Sequence, residues 1–279
     1  MKIWEAILYG IFGGASSLLP ISFNGHYTLL RETFNLPPLT VGSGLYIRCA
    51  VCIGVIAAII LAFRSESATL GREVLHLTGL KKRRRSEQID RPYIRSILLF
   101  TLALIMSLLS LIYAAPASRF GKLLVVAALF AVNGALIFWY SKSASGKKDE
   151  KTVLLSDSFF IGLSRMIAAF PGLSPLAGSL FVGHARGLNT EYNYHVAYML
   201  TLAYEVCSLI YHLIRAFIYA PFSADILLPF FIVLVLTAGI GYLALQYLRY
   251  LLQRQKVAFF AYYCWDAAAL ALVLSMINA

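Results

Sequence analysis

An all-α, polytopic membrane protein is the fold class that this sequence predicts, and three observations predict it. Of 279 residues, 60% are hydrophobic and only 13% are charged, with a mean hydropathy of +0.75. A soluble domain carries about a quarter of its residues as charges, so the surplus apolar surface here must meet lipid. Six apolar runs also reach the roughly 20 residues that a helix needs to cross a bilayer. They are Gly44–Phe63, Ser96–Ala115, Lys122–Tyr140, Val196–Tyr219, Ile226–Leu248 and Val257–Ile277. The runs are continuous, whereas the strands of a membrane barrel alternate apolar and polar residues. Helices are therefore expected.

Two further runs, Ile3–Leu30 and Val153–Val182, are apolar but interrupted by Gly, Pro and Ser. The first begins with one Lys and an apolar stretch, as a secretory leader does. It continues through Leu18-Leu19-Pro20-Ile21 without a polar break, which assigns it to the mature fold.

The net charge of +11 sits mostly in short links between the apolar runs. Lys81, Lys82, Arg83, Arg84 and Arg85 occupy one link, and Lys142, Lys147, Lys148 and Lys151 another. That distribution is the positive-inside pattern, with anionic headgroups as the expected contact and no nucleic acid. Links 64–95 and 141–152 flank one hairpin and so lie on one side, the cytoplasmic one. Arg249–Lys256 is basic and joins them, while Ala220–Asp225 has no Lys or Arg and is expected outside. Run 153–182 must then begin and end inside, as a re-entrant segment whose irregular backbone is buried in protein.

The first half reads the same way in the opposite orientation. Each half is one broken segment plus three spans, an inverted repeat of approximately 1–140 and 152–279 within a single membrane domain, 1–279. Gly10, Pro20 and Ser22 are echoed by Gly162, Pro171 and Ser174. Paired broken helices in such repeats place a binding site where the breaks meet. The expected location is the inner (plasma) membrane of a bacterial cell, as a multi-pass protein.

Cys49 and Cys52 form a C-x-x-C inside an apolar helix with no second pair nearby, and Cys207 and Cys264 stand alone. Zinc sites take four ligands and redox pairs sit at exposed helix starts, so all four read as packing residues.

The breaks carry the candidate chemistry. Gly13 to His26 reads GGASSLLPISFNGH, and Arg165 to Ser179 reads RMIAAFPGLSPLAGS. Free backbone N–H groups at a break suit a phosphate, although small residues also let re-entrant helices pack closely. His26 has the chemistry of a general acid or base, or a structural role satisfied by a carbonyl. Arg165 is a permanent cation in an apolar segment, which calls for an anionic partner or a function. Arg48 is similar, with snorkelling as its alternative. Glu205 and Asp266 are the acids at membrane depth available to pair with them.

Leu19-Pro20-Ile21-Ser22 with Gly25-His26 resembles the first signature of the bacterial undecaprenyl-diphosphate phosphatases of the bacitracin-resistance type. Pro171-Gly172-Leu173-Ser174, preceded by Gly162 and Ala168, resembles the second, and the hydrophobic layout matches along nearly the whole chain. The resemblance implies an inverted repeat with two re-entrant segments and removal of the terminal phosphate from a C55 lipid diphosphate, in lipid-carrier recycling for the cell wall. On this resemblance His26, Ser22 and Ser174 are expected to be catalytic and Asn24, Gly172, Ser179 and Ser17 substrate-binding, and Arg165, by its charge in an apolar segment, is expected to bind substrate with them. The family's two glutamates correspond to Gly13 and Ser17 here, its Ser-Ser-Thr to Ser22-Phe23-Asn24, and its Ser-Arg-Ser-Gly to Ser174-Pro175-Leu176-Ala177. A Gln ahead of the second signature is replaced by Arg165, and a Thr beyond it by Ser179.

A divalent cation is expected in the family, but its ligands are not retained here and no metal ligand is assigned. Hydrolysis of a phosphoanhydride needs charge neutralised on the phosphoryl oxygens and a positioned nucleophile, and a hard cation without carboxylates loses its usual ligands. The expected partner is a polyprenyl phosphate or diphosphate within the membrane, with a homodimer admitted as the assembly. Three functions stay open: a divergent phosphatase, a relative that binds or translocates a polyprenyl phosphate without turnover, and an unrelated small transporter. An acid beside His26 in the folded site would favour the first.

Overall fold

The computed structural model describes residues 1–82, 91–117 and 122–277, with the backbone alone for 112–117. Arg83, Arg84 and Arg85 of the first basic link lie outside the described residues.

Among the described residues six helices are long and apolar enough to cross a membrane, and each falls on one of the six apolar runs. They are α3 (Gly44–Ala62), α5 (Arg91–Ala117), α6 (Leu123–Lys142), α9 (Thr190–Tyr219), α10 (Leu227–Gln253) and α11 (Ala258–Ile277). Among the described residues there is no named strand, so the chain is an all-α polytopic membrane protein. Phe217, Val235 and Leu243 are 91%, 63% and 65% exposed, which only lipid would accept for side chains on spanning helices.

Each broken run forms a helix hairpin. The first is α1 (Ile3–Leu18) and α2 (Phe23–Phe34), and the second is α7 (Leu155–Ile167) and α8 (Pro175–Ala185). With 16, 12, 13 and 11 residues, none is long enough for a hydrocarbon core of about 30 Å at roughly 1.5 Å per residue. Both hairpins bring their ends back together. The ring of Trp4 at the start of α1 lies 6.3 Å from that of Phe34 at the end of α2. Asp157, in the first turn of α7, is fully buried and binds Arg186, just beyond α8, at 2.9 Å and Lys148 at 2.8 Å. The Leu154 N–H donates to the same carboxylate at 3.0 Å, so the base of the second hairpin is closed by two cations and a backbone amide.

Links that the charge pattern assigns to one side are joined in the fold. Lys148 N–H donates to Gly187 O at 2.8 Å, and Asn189 N–H to Lys148 O at 2.9 Å. At the other end, Tyr46 donates to Ala220 O at 3.1 Å and Arg215 to Thr40 O at 3.2 Å. Impermeant thiol labelling in intact cells should therefore modify a Ser223→Cys variant and spare Lys147→Cys, with Cys207 replaced. Strong modification at position 147 would overturn this topology.

α1 packs on α10 and α3, α7 packs on α5, α3 meets α9 and α6 meets α11. The α1–α10 contact is close: a Cβ at Gly14 would lie 2.7 Å from Thr237 O and 2.9 Å from Gly241 N. Only the absence of a side chain lets these backbones approach.

The link 64–95 is not a plain loop. Arg64–Leu77 is a helix, α4, and α5 already begins at Arg91. Leu70, Val74 and Leu77 recur at i, i+4 and i+7, the spacing of one helical face, but charges at every turn mask it in the sequence. Leu70 and Val74 line a groove with Phe100, Leu104 and Met199.

Candidate functional site

The two breaks, 150 residues apart in the chain, meet. Ser22 caps α2: its Oγ accepts from Gly25 N–H at 3.2 Å, and its own φ is +68°. Ser174 caps α8 in the same manner, accepting from Ala177 N–H at 3.2 Å, with Pro175 opening the helix. A side-chain oxygen at the cap satisfies an amide that the helix cannot, and proline at the first helical position loses no bond. Ser22 Oγ also accepts from Gly172 N–H across the interface at 3.1 Å, and Asn24 Nδ2 donates to Ala169 O at 3.2 Å.

Asn133, on α6, ties the two breaks together. Its Nδ2 donates to Pro20 O at 2.9 Å, and its Oδ1 accepts from Ser174 N–H at 3.0 Å. Sequence reasoning missed this residue, although a lone amide in the apolar run 122–140 was the available signal. Tyr198, on α9, also fixes the first break, donating to Leu18 O at the end of α1 at 2.7 Å.

Gly172 has a φ of +109°, and a Cβ there would lie 2.7 Å from Leu129 Cβ and 2.8 Å from Val126 O. A side chain would thus be strained by conformation and by crowding together. Gly172→Ala should cost roughly 2–5 kcal/mol, adding a positive-φ penalty to an overpacking penalty. Thermal denaturation in detergent should show the loss; an unchanged melting temperature would remove Gly172 from the break's design.

A cavity of about 220 Å³ opens beside the breaks. Ser17, Asn24, Arg165 and Ser174 line it, together with Arg48, Tyr204 and Glu205. Its mouth is at Glu32 and Thr40, both exposed, on the side of the Ala220 link. Ser22, His26, Gly172 and Ser179 are not in its wall. His26 is 3% exposed and sits behind the break with both ring nitrogens engaged. Nδ1 is 2.8 Å from Ser22 O and Nε2 is 2.8 Å from Tyr263 Oη, and the ring stacks on Phe12 and Tyr263. Ser179 is 1% exposed and reaches the cavity only through Arg165. Asp266 is exposed on α11, away from both arginines' cavity.

Arg165 is 2% exposed, and its guanidinium is hydrogen-bonded to hydroxyls and lies 5.9 Å from the centre of the Tyr204 ring. Nε donates to Ser107 Oγ at 3.2 Å, and Nη1 donates to Ser179 Oγ at 3.0 Å and Thr201 Oγ1 at 3.3 Å. Among the described residues no carboxylate lies within ion-pair distance of it. Glu205 instead approaches Arg48, at 3.9 Å. A buried cation with no counter-ion is costly, and an anion entering the cavity would offset that cost.

The donor set does not fit a divalent cation. A Cβ at Gly13 would point at Thr237 and Val51, in the α10–α3 contact and not in the cavity wall. Ser17 does line the cavity but offers no carboxylate. The acids in the wall, Glu32 and Glu205, share it with Arg31, Arg48 and Arg165. Among the described residues no three His, Cys, Asp or Glu side chains are grouped to hold a metal.

Residues 6–270 match the family model described as bacitracin resistance protein BacA. The chain is 27% identical to the undecaprenyl-diphosphatase of Methanobrevibacter smithii over 95% of both chains. It is 24% identical to that of Carboxydothermus hydrogenoformans and 26% identical to undecaprenyl-diphosphatase 3 of Bacillus cereus, over 98% of each chain in both cases.

Proposed function

The chain belongs to the bacitracin resistance protein BacA family, and from that premise we propose that its cavity takes the phosphorylated head of a polyprenyl lipid and releases the terminal phosphate. The protein has an undecaprenyl-diphosphatase-like role in lipid-carrier recycling, at the inner membrane and in multi-pass form. The observation that carries the reading is Arg165, a buried guanidinium without a carboxylate, aimed at a cavity where two helix breaks meet.

The residues divide the work. Arg165 holds phosphoryl oxygens, because a planar guanidinium offers paired donors. Ser17, Asn24 and Ser174 stand in the same wall as hydrogen-bonding groups. Ser22, Gly172 and Ser179 are positioning residues, since they set the breaks and Arg165. His26 positions α2 through Ser22 O and Tyr263. Glu205 is the buried one of the two acids in the cavity wall and can orient a water toward phosphorus, a role phosphoryl transfer requires. The mirrored pairings of α1 with α10 and α7 with α5, and the matching Ser22 and Ser174 caps, support the inverted repeat of 1–140 and 152–279.

The second reading, binding or translocation without turnover, is favoured by one observation: His26 has both ring nitrogens engaged outside the cavity. Phosphate release from purified protein with C55 diphosphate decides between the two. Turnover by the wild type, lost in Glu205→Gln with lipid binding retained, supports hydrolysis. Lipid binding without any phosphate release supports the second reading.

A further inference from the structure

Arg48, on α3, is a further guanidinium in the cavity wall and lies outside the two segments, 13–26 and 165–179, that carry the candidate chemistry. Its contact with Glu205 is loose at 3.9 Å, and its guanidinium lies 4.5 Å from the centre of the Phe23 ring. Arg48 Nη1 is buried with no hydrogen-bond acceptor, and Glu205 Oε2, in a side chain only 8% exposed, has no donor. Buried donors are ordinarily satisfied, so a charged group left with a free N–H beside a cavity marks the place of a missing acceptor. Arg48 meets Glu205, and the Arg165 guanidinium lies 5.9 Å from the centre of the adjacent Tyr204 ring, so the two guanidiniums share one stretch of the cavity wall. Three arginines against two glutamates leave the wall one positive charge in excess.

We propose that Arg48 is a second phosphate ligand, so that a diphosphate head is held between Arg48 and Arg165 and its binding requires no divalent cation. The inference rests on the reading of the cavity as a lipid-phosphate site and adds the group that distinguishes diphosphate from monophosphate. Arg165, in the floor with Ser174, takes one phosphoryl group. Arg48, beside Glu205, takes the other. Glu205 holds Arg48 at the cavity wall through Nη2 and leaves Nη1 without an acceptor until lipid binds. Arginine here does the neutralising work that a cation bound by carboxylates would do, which accounts for a site that lacks those carboxylates and keeps two buried guanidiniums.

The test measures binding of geranylgeranyl diphosphate and geranylgeranyl monophosphate to the full-length protein in detergent, by calorimetry, with excess EDTA and with Mg²⁺. The wild type should bind the diphosphate at least about tenfold more tightly, the effect of one added charge-assisted contact, and EDTA should not remove the preference. Arg48→Gln combined with Glu205→Gln, which removes both charges and leaves neither partner stranded, should lower diphosphate affinity far more than monophosphate affinity. Arg48→Lys should restore part of the difference. A preference that vanishes in EDTA and returns with Mg²⁺ would assign the second phosphate to a metal and overturn the proposal. So would a preference that survives the double substitution, or a double variant that loses both lipids equally. A wild type that binds neither lipid would instead remove the lipid-phosphate reading on which this one rests.

Discussion

Arg165→Gln lowers the affinity for a polyprenyl phosphate about tenfold to a hundredfold and leaves thermal stability unchanged or raised. The affinity term follows from losing a charge-assisted hydrogen bond, about 1.5–3 kcal/mol, or one to two decades in the dissociation constant. The stability term follows from what surrounds the guanidinium. Ser179 and Thr201 already donate to carbonyls of their own helix, Pro175 O at 2.9 Å and Ala197 O at 2.8 Å. They act toward Arg165 as acceptors, so removing the arginine strands no buried donor. Removing a cation that no carboxylate neutralises relieves a desolvation cost. A structural arginine would behave the opposite way, and lowered melting with unchanged lipid affinity would assign Arg165 to the fold. Arg165→Lys is expected to resemble Gln in binding, because an ammonium cannot span Ser107, Ser179 and Thr201 in the same plane.

Asn133→Leu is expected to be the most destabilising change at the breaks, by roughly 2–6 kcal/mol. It strands Pro20 O and Ser174 N–H, both inside protein, at about 1–3 kcal/mol for each unsatisfied group. Asn133 is 1% exposed, so no solvent replaces the amide. Denaturation in detergent should show the loss, and hydrogen exchange should rise at Ser174 and its neighbours before it rises in α10. Asn133→Asp tests the same bridge from one side, since a carboxylate can still accept from Ser174 N–H and cannot donate to Pro20 O. A melting temperature unaffected by either substitution would show that the breaks are held by Ser22, Gly172 and Tyr198 without α6.

The spans and the two broken segments were legible in the chain because they are local properties. A run of apolar residues has its length whatever packs on it, and a proline interrupts a helix in any context. The helix α4 was not legible, since Leu70, Val74 and Leu77 are spaced among charges that solvate a loop equally well. The site was legible as a set of segments and not as a set of side chains. Ser17 and Ser22 are both hydroxyls near one proline, yet Ser17 lines the cavity and Ser22 is spent on Gly25 and Gly172.

By itself, then, the sequence determined an all-α membrane protein with six spans, two helix breaks and a family resemblance that the match over residues 6–270 bears out. Only the tertiary structure decided that Asn133 would join the breaks, that Arg165 would meet hydroxyls and no acid, and that Glu205 would face Arg48. The reason is geometric. Successive residues of a helix turn by about 100°, so which side chain reaches a cavity depends on the rotation that packing imposes on each helix. α3, α6, α7 and α9 are brought together by contacts far apart in the chain, and the partners of a buried charge are set only when those contacts form.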